Sequence, residues 1–230
     1  MNRDIINTGL LALSFLGLFA VSEVIYYRFN VKPEVTRKLV HVVTGFLTLL
    51  FPIMLNNQLL VFLLCATFAL IILASLRFGF LRSINGIDRK SHGSISYPVS
   101  VYGCYLAYNY YSHRNSGFSD PYIYFYLPIL TLAICDPIAA LAGKKFPYGK
   151  FKIGKDTKTM VGSLSFFVSS LLLTLSVYFY LFHGSFSLAA IFPMAFMIAA
   201  LASISEALSG KGIDNITIPA TVLLVLVIFV

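Results

Sequence analysis

The chain has 230 residues, of which 58% are hydrophobic and only 11% are charged, and its mean hydropathy is +0.84. A soluble domain carries roughly 25% charged residues, so too few polar side chains are present to cover a water-soluble globule. The composition therefore excludes an ordinary soluble protein and predicts one integral membrane domain over residues 1–230. The net charge of +8 is explained by basic cytoplasmic loops rather than by nucleic acid, and no nucleic acid partner is expected.

Eight apolar segments follow one another along the chain. A transmembrane helix needs about 20 mostly apolar residues, which predicts spans over residues 5–27, 39–55, 59–76, 95–111, 121–142, 160–182, 186–208 and 216–230. The last segment is short, so seven spans are the alternative. The expected fold is all-α, a polytopic bundle of transmembrane helices.

Basic residues are distributed unevenly over the loops between these segments. Nearly all of the 17 basic residues fall in loops one, three, five and seven, and the opposite side holds only Arg3 and Arg114. Because Lys and Arg are enriched on the cytoplasmic side, the odd-numbered loops are predicted to face the cytoplasm. We expect the location to be a bacterial inner membrane, with the active site on its cytoplasmic face.

Four ionisable residues lie inside the apolar segments, where each costs about 2.5–3.5 kcal/mol at the helix centre and indicates a functional site. Each is nearer the cytoplasmic end of its segment: Glu23, His41, Asp136 and Glu206. This common depth predicts a pocket that opens to the cytoplasm. Glu23 has an alternative role as a partner of Arg28, and His41 has one as a hydrogen-bonding residue between helices.

Asp136 precedes Pro137, whose ring removes a helical donor. Proline also biases the residue before it away from helical geometry. The pair therefore predicts exposed carbonyl groups beside a carboxylate, an arrangement that suits a cation. A purely structural aspartate is the alternative.

Loop five, residues 143–159, is rich in lysine and leads directly into the sixth segment. Thr159 is a natural N-cap for that helix, and free N–H groups at a helix N-terminus bind anions. Gly162 and Ser163 in the first turn would allow a phosphate to approach closely. This pattern favours polyphosphate binding, and attraction to anionic lipid headgroups is the alternative.

Loop seven, residues 210–219, contains two neighbouring residues with oxygen ligands of the kind that Mg²⁺ prefers, Asp214 and Asn215. The alternative is an ordinary turn between helices, which Asp and Asn also favour.

Four blocks of the sequence, taken in order, carry a resemblance to a known family. They are residues 37–41 (RKLVH), 92–98 (HGSISYP), 136–143 together with 158–163, and Glu206 together with 214–219 (DNITIP). The set resembles the phytol/farnesol/dolichol kinase family, membrane enzymes that phosphorylate polyprenyl alcohols with CTP or UTP. The third block is also similar, more distantly, to phosphatidate cytidylyltransferases, whose closing Gly-rich signature with paired aspartates is missing here.

The resemblance implies a membrane lipid kinase that transfers the γ-phosphate of CTP or UTP to a polyprenyl alcohol. The expected partners are the lipid alcohol, the nucleotide and membrane lipids. On this reading Mg²⁺ is held by Asp136 with Asp214 or Asn215, and the phosphates are neutralised by lysines, namely Lys145, Lys155 and Lys158. Glu206, Asp136 or His41 would accept the hydroxyl proton. The alternatives are a phosphatidate cytidylyltransferase and a transporter or flippase for an anionic solute.

Overall fold

The computed structural model describes residues 2–86, 93–114, 120–154, 156–182 and 188–229. Helices account for most of them: α1 Asn2–Phe29, α2 Pro33–Thr48, α3 Phe51–Met54, α4 Gln58–Phe78, α5 Arg82–Asn85, α6 Gly93–Ser112, α7 Ile123–Leu130, α8 Asp136–Lys145, α9 Met160–Phe182, α10 Leu188–Leu208 and α11 Asp214–Phe229. Two short strands, β1 Lys150–Ile153 and β2 Asp156–Thr159, stand between α8 and α9. The predicted all-α polytopic bundle is confirmed, and the hairpin is an addition that the sequence did not predict.

Six helical stretches are long and apolar enough to cross a membrane: Arg3–Phe29, Pro33–Met54, Gln58–Phe78, Ile123–Lys145, Met160–Leu181 and Ile191–Leu208. Within the described residues, α6 does not meet this standard and α11 is a shorter apolar helix. The count of eight spans therefore stays a prediction. Residues 186, 187 and 230 of the predicted spans lie outside the described part of the chain.

The stretch Ile123–Lys145 is the central helix of the bundle. Of its most apolar window 56% is buried, against 22% for α1 and for α9. Side chains along α7, such as Ile123, Phe125 and Leu127, have no solvent exposure. The outer helices instead leave apolar side chains exposed, as lipid-facing helices do. The central position of this helix matters because it carries Asp136.

A π-helical turn over Thr131–Cys135 joins α7 to α8. The sequence led us to expect that Pro137 would push Asp136 out of helical geometry, and this is wrong, because Asp136 has φ −63° and ψ −48°. The distortion lies one turn earlier instead. In a π-turn the donor for the Leu132 carbonyl would be residue 137, and proline has no N–H group.

The hairpin is antiparallel, with Lys150 opposite Thr159 and Ile153 opposite Asp156. Gly149 and Gly154 have φ angles of +63° and +59°, a region that non-glycine residues enter with strain. They let the chain turn sharply on leaving α8 and again between the strands. The second strand then runs without a break into α9.

Candidate functional site

A continuous cavity of about 630 Å³ extends from the loop end of the bundle into its apolar interior. One half is lined by charged residues, among them Asp136, Glu206 and Asp214 with Lys38, Lys144 and Lys158. The other half is lined by apolar side chains, among them Phe15, Phe19, Phe51, Leu64, Phe68 and Val101. Its volume is within the range of about 300–1,000 Å³ that is usual for small-molecule pockets.

Lys158 joins two of the carboxylates at the charged end. Its Nζ donates a hydrogen bond to the Glu206 backbone carbonyl at 2.9 Å, forms an ion pair with the Glu206 carboxylate, and lies 3.8 Å from Asp214 Oδ2. The three side chains are 17%, 6% and 19% exposed. The residues come from β2, α10 and the first turn of α11, so this partly buried cluster ties the hairpin to the last two helices.

Asp136 lies within electrostatic reach of the same group, including Asp214 and Lys158, and also of Arg37 and Lys38. Among the described residues, no hydrogen bond or ion pair engages its carboxylate. Glu206, by contrast, is held by Lys158. Asp136 is therefore the acidic group of the site whose oxygens stand available to a ligand.

The lysine-rich hairpin is fixed to loop seven by Asp156. Its Oδ2 accepts a hydrogen bond from the Lys211 backbone N–H at 2.6 Å. Lys211 and Gly212 have positive φ angles of +55° and +83°, so loop seven bends sharply at this contact. The contact brings loops five and seven, which are far apart in sequence, to the same rim of the cavity.

Thr159 is the N-cap of α9, as its sequence position predicts, because its Oγ1 accepts the N–H of Gly162 at 3.0 Å. The N–H of Met160 donates to the Gly149 carbonyl at 3.0 Å. Two N–H groups at the N-terminus of α9, where we expected phosphate to bind, thus already donate hydrogen bonds within the protein. The phosphate contacts predicted for Thr159 and Gly162 stay predictions.

The missing side chain of Gly162 serves helix packing in this structure. A Cβ there would lie 3.0 Å from Thr159 Oγ1 and 3.1 Å from the Ala139 carbonyl. At Gly143, on the facing helix, an added Cβ would lie 2.5 Å from the same hydroxyl oxygen. The two glycines let α8 and α9 approach closely, which positions Asp136 and Lys158 at one end of the bundle. Ser163 lines the cavity as well.

His41 donates from Nε2 to the Leu132 carbonyl at 3.2 Å. This is the carbonyl that the π-turn and Pro137 deprive of a backbone donor. The imidazole also packs edge-on against Tyr97, with the ring centroids 4.9 Å apart. The alternative considered for this residue, a hydrogen bond between helices, is therefore what the structure has, although the ring also lines the cavity.

Asn215 lines the cavity next to Asp214, but its side chain has a visible structural contact. Its Nδ2 donates to the Gly93 carbonyl at 2.7 Å, and its own carbonyl accepts a hydrogen bond from Ser100. These two bonds fix the start of α11 against α6. A role in metal binding stays a prediction for its amide oxygen.

Not every predicted residue reaches the site. Lys145 is exposed and lies 5.3 Å from the ring of Phe146, and it is not part of the cavity lining. Lys155 lies outside the described residues. Glu23 accepts the backbone N–H of Ser83 at 2.8 Å and holds α5 against α1, which is a structural role.

Sequence reasoning missed several basic groups that do line the cavity, namely Arg37, Lys38, Lys144, Lys150 and Lys211. Arg37 and Lys38 precede His41 by four and three residues, so they share one face of α2 with it. That spacing was the available signal, and it lay within the first block of the family resemblance.

The donor set at the charged end suits Mg²⁺, which prefers oxygen and is usually bound by one or two carboxylates together with substrate phosphates. Asp136 and Asp214 supply such a pair in one cavity. Within the described residues there is no cluster of three His, Cys, Asp or Glu residues that would hold a metal alone. The site thus fits a metal that arrives with a nucleotide better than a metal held by the protein alone.

Fold and cavity together define a helical membrane protein whose pocket offers charged groups at one end and an apolar lining at the other. The chain is similar to the phytol kinase of Synechocystis sp., with 28% identity over 211 residues that cover 91% of this chain and 85% of that protein. This similarity supports the phytol/polyprenol kinase family and, at that level, a membrane kinase of the prenol type. It does not support the more distant likeness to cytidylyltransferases. No family model and no solved structure matches the chain.

Proposed function

We propose that this protein is a lipid kinase that transfers the γ-phosphate of CTP or UTP to the hydroxyl of an isoprenoid alcohol at the cytoplasmic face of the membrane. The observation that supports this most is the shape and lining of the cavity, which is charged at one end and apolar at the other. A water-soluble triphosphate and a membrane-soluble alcohol can meet only where two such regions join.

The triphosphate would bind at the charged end. Lysine side chains there surround the carboxylates, with Lys38, Lys144, Lys150 and Lys158 all lining the cavity. Phosphoryl transfer needs positioning and charge neutralisation more than covalent help from the protein. Asp136 and Asp214 would hold Mg²⁺, which when bound supplies further neutralisation of the phosphate oxygens.

Lys158 would change partners when the nucleotide binds. It is now paired with Glu206 and Asp214, and phosphate oxygens compete for the same ammonium group. Once Lys158 turns toward phosphate, the Glu206 carboxylate is released to accept the hydroxyl proton. His41 is the second candidate for this step, and its bond to Leu132 leaves Nδ1 as the nitrogen that would accept.

The alcohol would lie with its hydroxyl at the boundary between the two halves and its tail in the apolar half. Thr44 lines the cavity one turn beyond His41 on α2. Its hydroxyl oxygen and that of Ser163 are buried without a hydrogen-bond partner among the described residues. Buried polar groups are nearly always satisfied, so a substrate that brings polar atoms to this depth accounts for both.

The deciding experiment uses the purified protein with Mg²⁺, γ-labelled CTP or UTP, and a panel of isoprenoid alcohols, diacylglycerol and phosphatidic acid. Label in an isoprenoid monophosphate supports the proposal, and Asp136→Asn and Lys158→Ala should each abolish it. Release of pyrophosphate with a CDP-lipid would instead identify a cytidylyltransferase. Flux of an anionic solute into liposomes without nucleotide turnover would identify a transporter.

The orientation can be tested by labelling a single introduced thiol. The native cysteines Cys65, Cys104 and Cys135 are all buried, whereas Lys152 in the hairpin is exposed. In the Lys152→Cys variant, a membrane-impermeant maleimide should label inverted vesicles and not intact cells. Labelling of intact cells would place the hairpin, and with it the charged end of the cavity, outside.

A further inference from the structure

One face of α2, continued by α3, lines the cavity along its whole depth. The residues recur at helical spacing, from Lys38 at the charged end through His41, Thr44 and Thr48 to Phe51. Since a helix rises 1.5 Å per residue, the separation between two residues on this face gives the distance between them along the cavity. The ten residues from His41 to Phe51 correspond to about 15 Å of apolar depth.

The deep end of the cavity is closed by a cluster of aromatic rings. Phe15 from α1 packs against Phe51 and Phe68, with centroid distances of 6.0 and 5.0 Å. Phe51 packs in turn against Phe125 of the central helix at 6.4 Å. Phe15 and Phe51 are only 3% and 2% exposed. Behind them, Tyr105 donates a hydrogen bond to the Leu55 carbonyl at 2.7 Å and seals this end.

The depth of the apolar half sets the length of tail that it holds. An extended chain advances about 1.2 Å per bond, because three backbone bonds of a polypeptide reach about 3.6 Å. A depth of about 15 Å therefore holds about 12 bonds, which is the main chain of three isoprene units. A tail of four units has about 16 main-chain bonds and would be about 19 Å long when fully extended, so it fits only when it is bent to about 15 Å.

We infer that the Phe15–Phe51–Phe68 cluster is a chain-length stop that selects isoprenoid alcohols of three to four isoprene units and excludes long-chain polyprenols. The inference rests on the proposed kinase function for the reaction at the hydroxyl, and on the cavity alone for the length. The total volume of about 630 Å³ agrees with it, since the same space also holds the phosphates. A tail of nine or more units has no room behind the aromatic rings.

The test compares alcohols of two, three, four, five and nine isoprene units with the full-length protein in nanodiscs. Turnover with CTP and Mg²⁺ gives kcat/KM for each length, and displacement of a fluorescent farnesol analogue gives binding without nucleotide. The wild-type protein should prefer three and four units over two and nine by about tenfold or more.

Two substitutions should move the preference in opposite directions. Phe51→Ala removes the stop and should raise kcat/KM and affinity for the five-unit alcohol by about tenfold. Val101→Phe narrows the apolar half from α6 and should weaken the four-unit alcohol by a similar factor while three units are kept. Phe62→Ala is the matched control, because this ring is 45% exposed on the outer side of α4 and does not line the cavity.

The two levels of the argument fail in different ways. If no alcohol is phosphorylated but binding still depends on length and shifts in the two variants, the kinase proposal fails and the chain-length stop stands. If alcohols are phosphorylated with equal efficiency at every length, or neither variant alters the profile, the chain-length stop is overturned and the kinase stands. Val101→Phe adds atoms on the cavity side, costs some stability if the ring is overpacked, and leaves the contacts of Phe51 in place. Because it tests the same inference independently of Phe51, misfolding of Phe51→Ala leaves the inference testable.

Discussion

Replacing Lys158 by methionine is the most informative single change in the charged end of the cavity. Methionine keeps the length and apolar stem of the side chain but removes the ammonium group. In the structure that group neutralises Glu206, which is 6% exposed, and lies 3.8 Å from Asp214. The substitution therefore leaves two carboxylates facing one another in a partly buried site with no cation between them.

Removing one partner of a buried ion pair costs about 3–5 kcal/mol, because the remaining charge is left desolvated and unpaired. Lys158 keeps 17% exposure, so we expect the lower end, about 3 kcal/mol. For a chain of 230 residues, each kcal/mol shifts Tm by about 2–4 °C. The expected loss is thus about 6–12 °C.

The assay is thermal unfolding of the purified protein, followed together with kinase turnover. Lys158→Met/Glu206→Gln should recover most of the lost Tm, because it removes the unpaired charge as well as its partner. It should not recover kcat/KM, which we expect to fall by about 10²–10³ when a cation at the transferring phosphate is lost. A comparison of the single variant with the double variant therefore separates the effect of Lys158 on stability from its effect on activity.

Lys144→Met is the matched control. Lys144 also lines the cavity and pairs with Glu34 at 3.6 Å, but the two side chains are 71% and 47% exposed. Exposed pairs contribute about 0–1 kcal/mol, so Tm should hardly move. If Lys158→Met were as stable as Lys144→Met, and the double variant no more stable than the single one, the reasoning about the Lys158–Glu206 pair would be refuted.

Three further variants test other parts of the site. Asp136→Asn should keep its Tm, since no described residue bonds the carboxylate, yet lose kinase turnover by about 10² or more; retained turnover would remove it from the site. Gly143→Ala should lower stability by about 1–3 kcal/mol because its Cβ would meet Thr159 Oγ1 at 2.5 Å, whereas Gly103→Ala, with nothing within 4 Å, should not. Asn215→Asp should lower the free energy of unfolding by about 1–3 kcal/mol, and Tm with it, because the buried hydrogen bond to the Gly93 carbonyl is lost. An unchanged Tm together with tighter Mg²⁺ binding would instead identify residue 215 as a metal ligand.

Hydropathy predicted the positions of the helices well, because long apolar segments are stable in the bilayer. It misplaced the helix ends that face water. The second segment was expected over residues 39–55, but α2 begins at Pro33. Its first turns carry Glu34, Arg37 and Lys38, which line the cavity rather than lipid. A hydropathy criterion reads such turns as loop, although they are the part of the helix that belongs to the site.

The rotation of a helix end was harder to predict than its position. Lys144 and Lys145 are neighbours at the end of α8, and successive residues of an α-helix are about 100° apart. Lys144 lines the cavity and Lys145 points away from it. Sequence composition treats the two lysines alike, so the choice of Lys145 as a phosphate ligand had no physical basis in helix phase.

The fixed N-terminus of α9 shows a different limit of sequence reasoning. A helix start beside lysines is a general signature of anion binding. The sequence did not show that the preceding residues form a hairpin, or that Gly149, just before its first strand, supplies the acceptor for the Met160 N–H. Once the hairpin is known, the lysine side chains become the main candidates for phosphate contacts.

One helix face joins the two halves of the proposed reaction. Along α2 the basic residues are followed within two turns by His41 and Thr44 and then by Thr48, and α3 continues the same cavity-lining face with Phe51. Insertion of one residue between the two parts would rotate the apolar part by about 100° relative to the charged part. The cavity would then no longer present cations and an apolar lining to one substrate, even though the composition and hydropathy of the chain were nearly unchanged. The phase of this helix, rather than the number of its charged or apolar residues, is therefore what brings a soluble phosphate donor and a membrane alcohol to the same point.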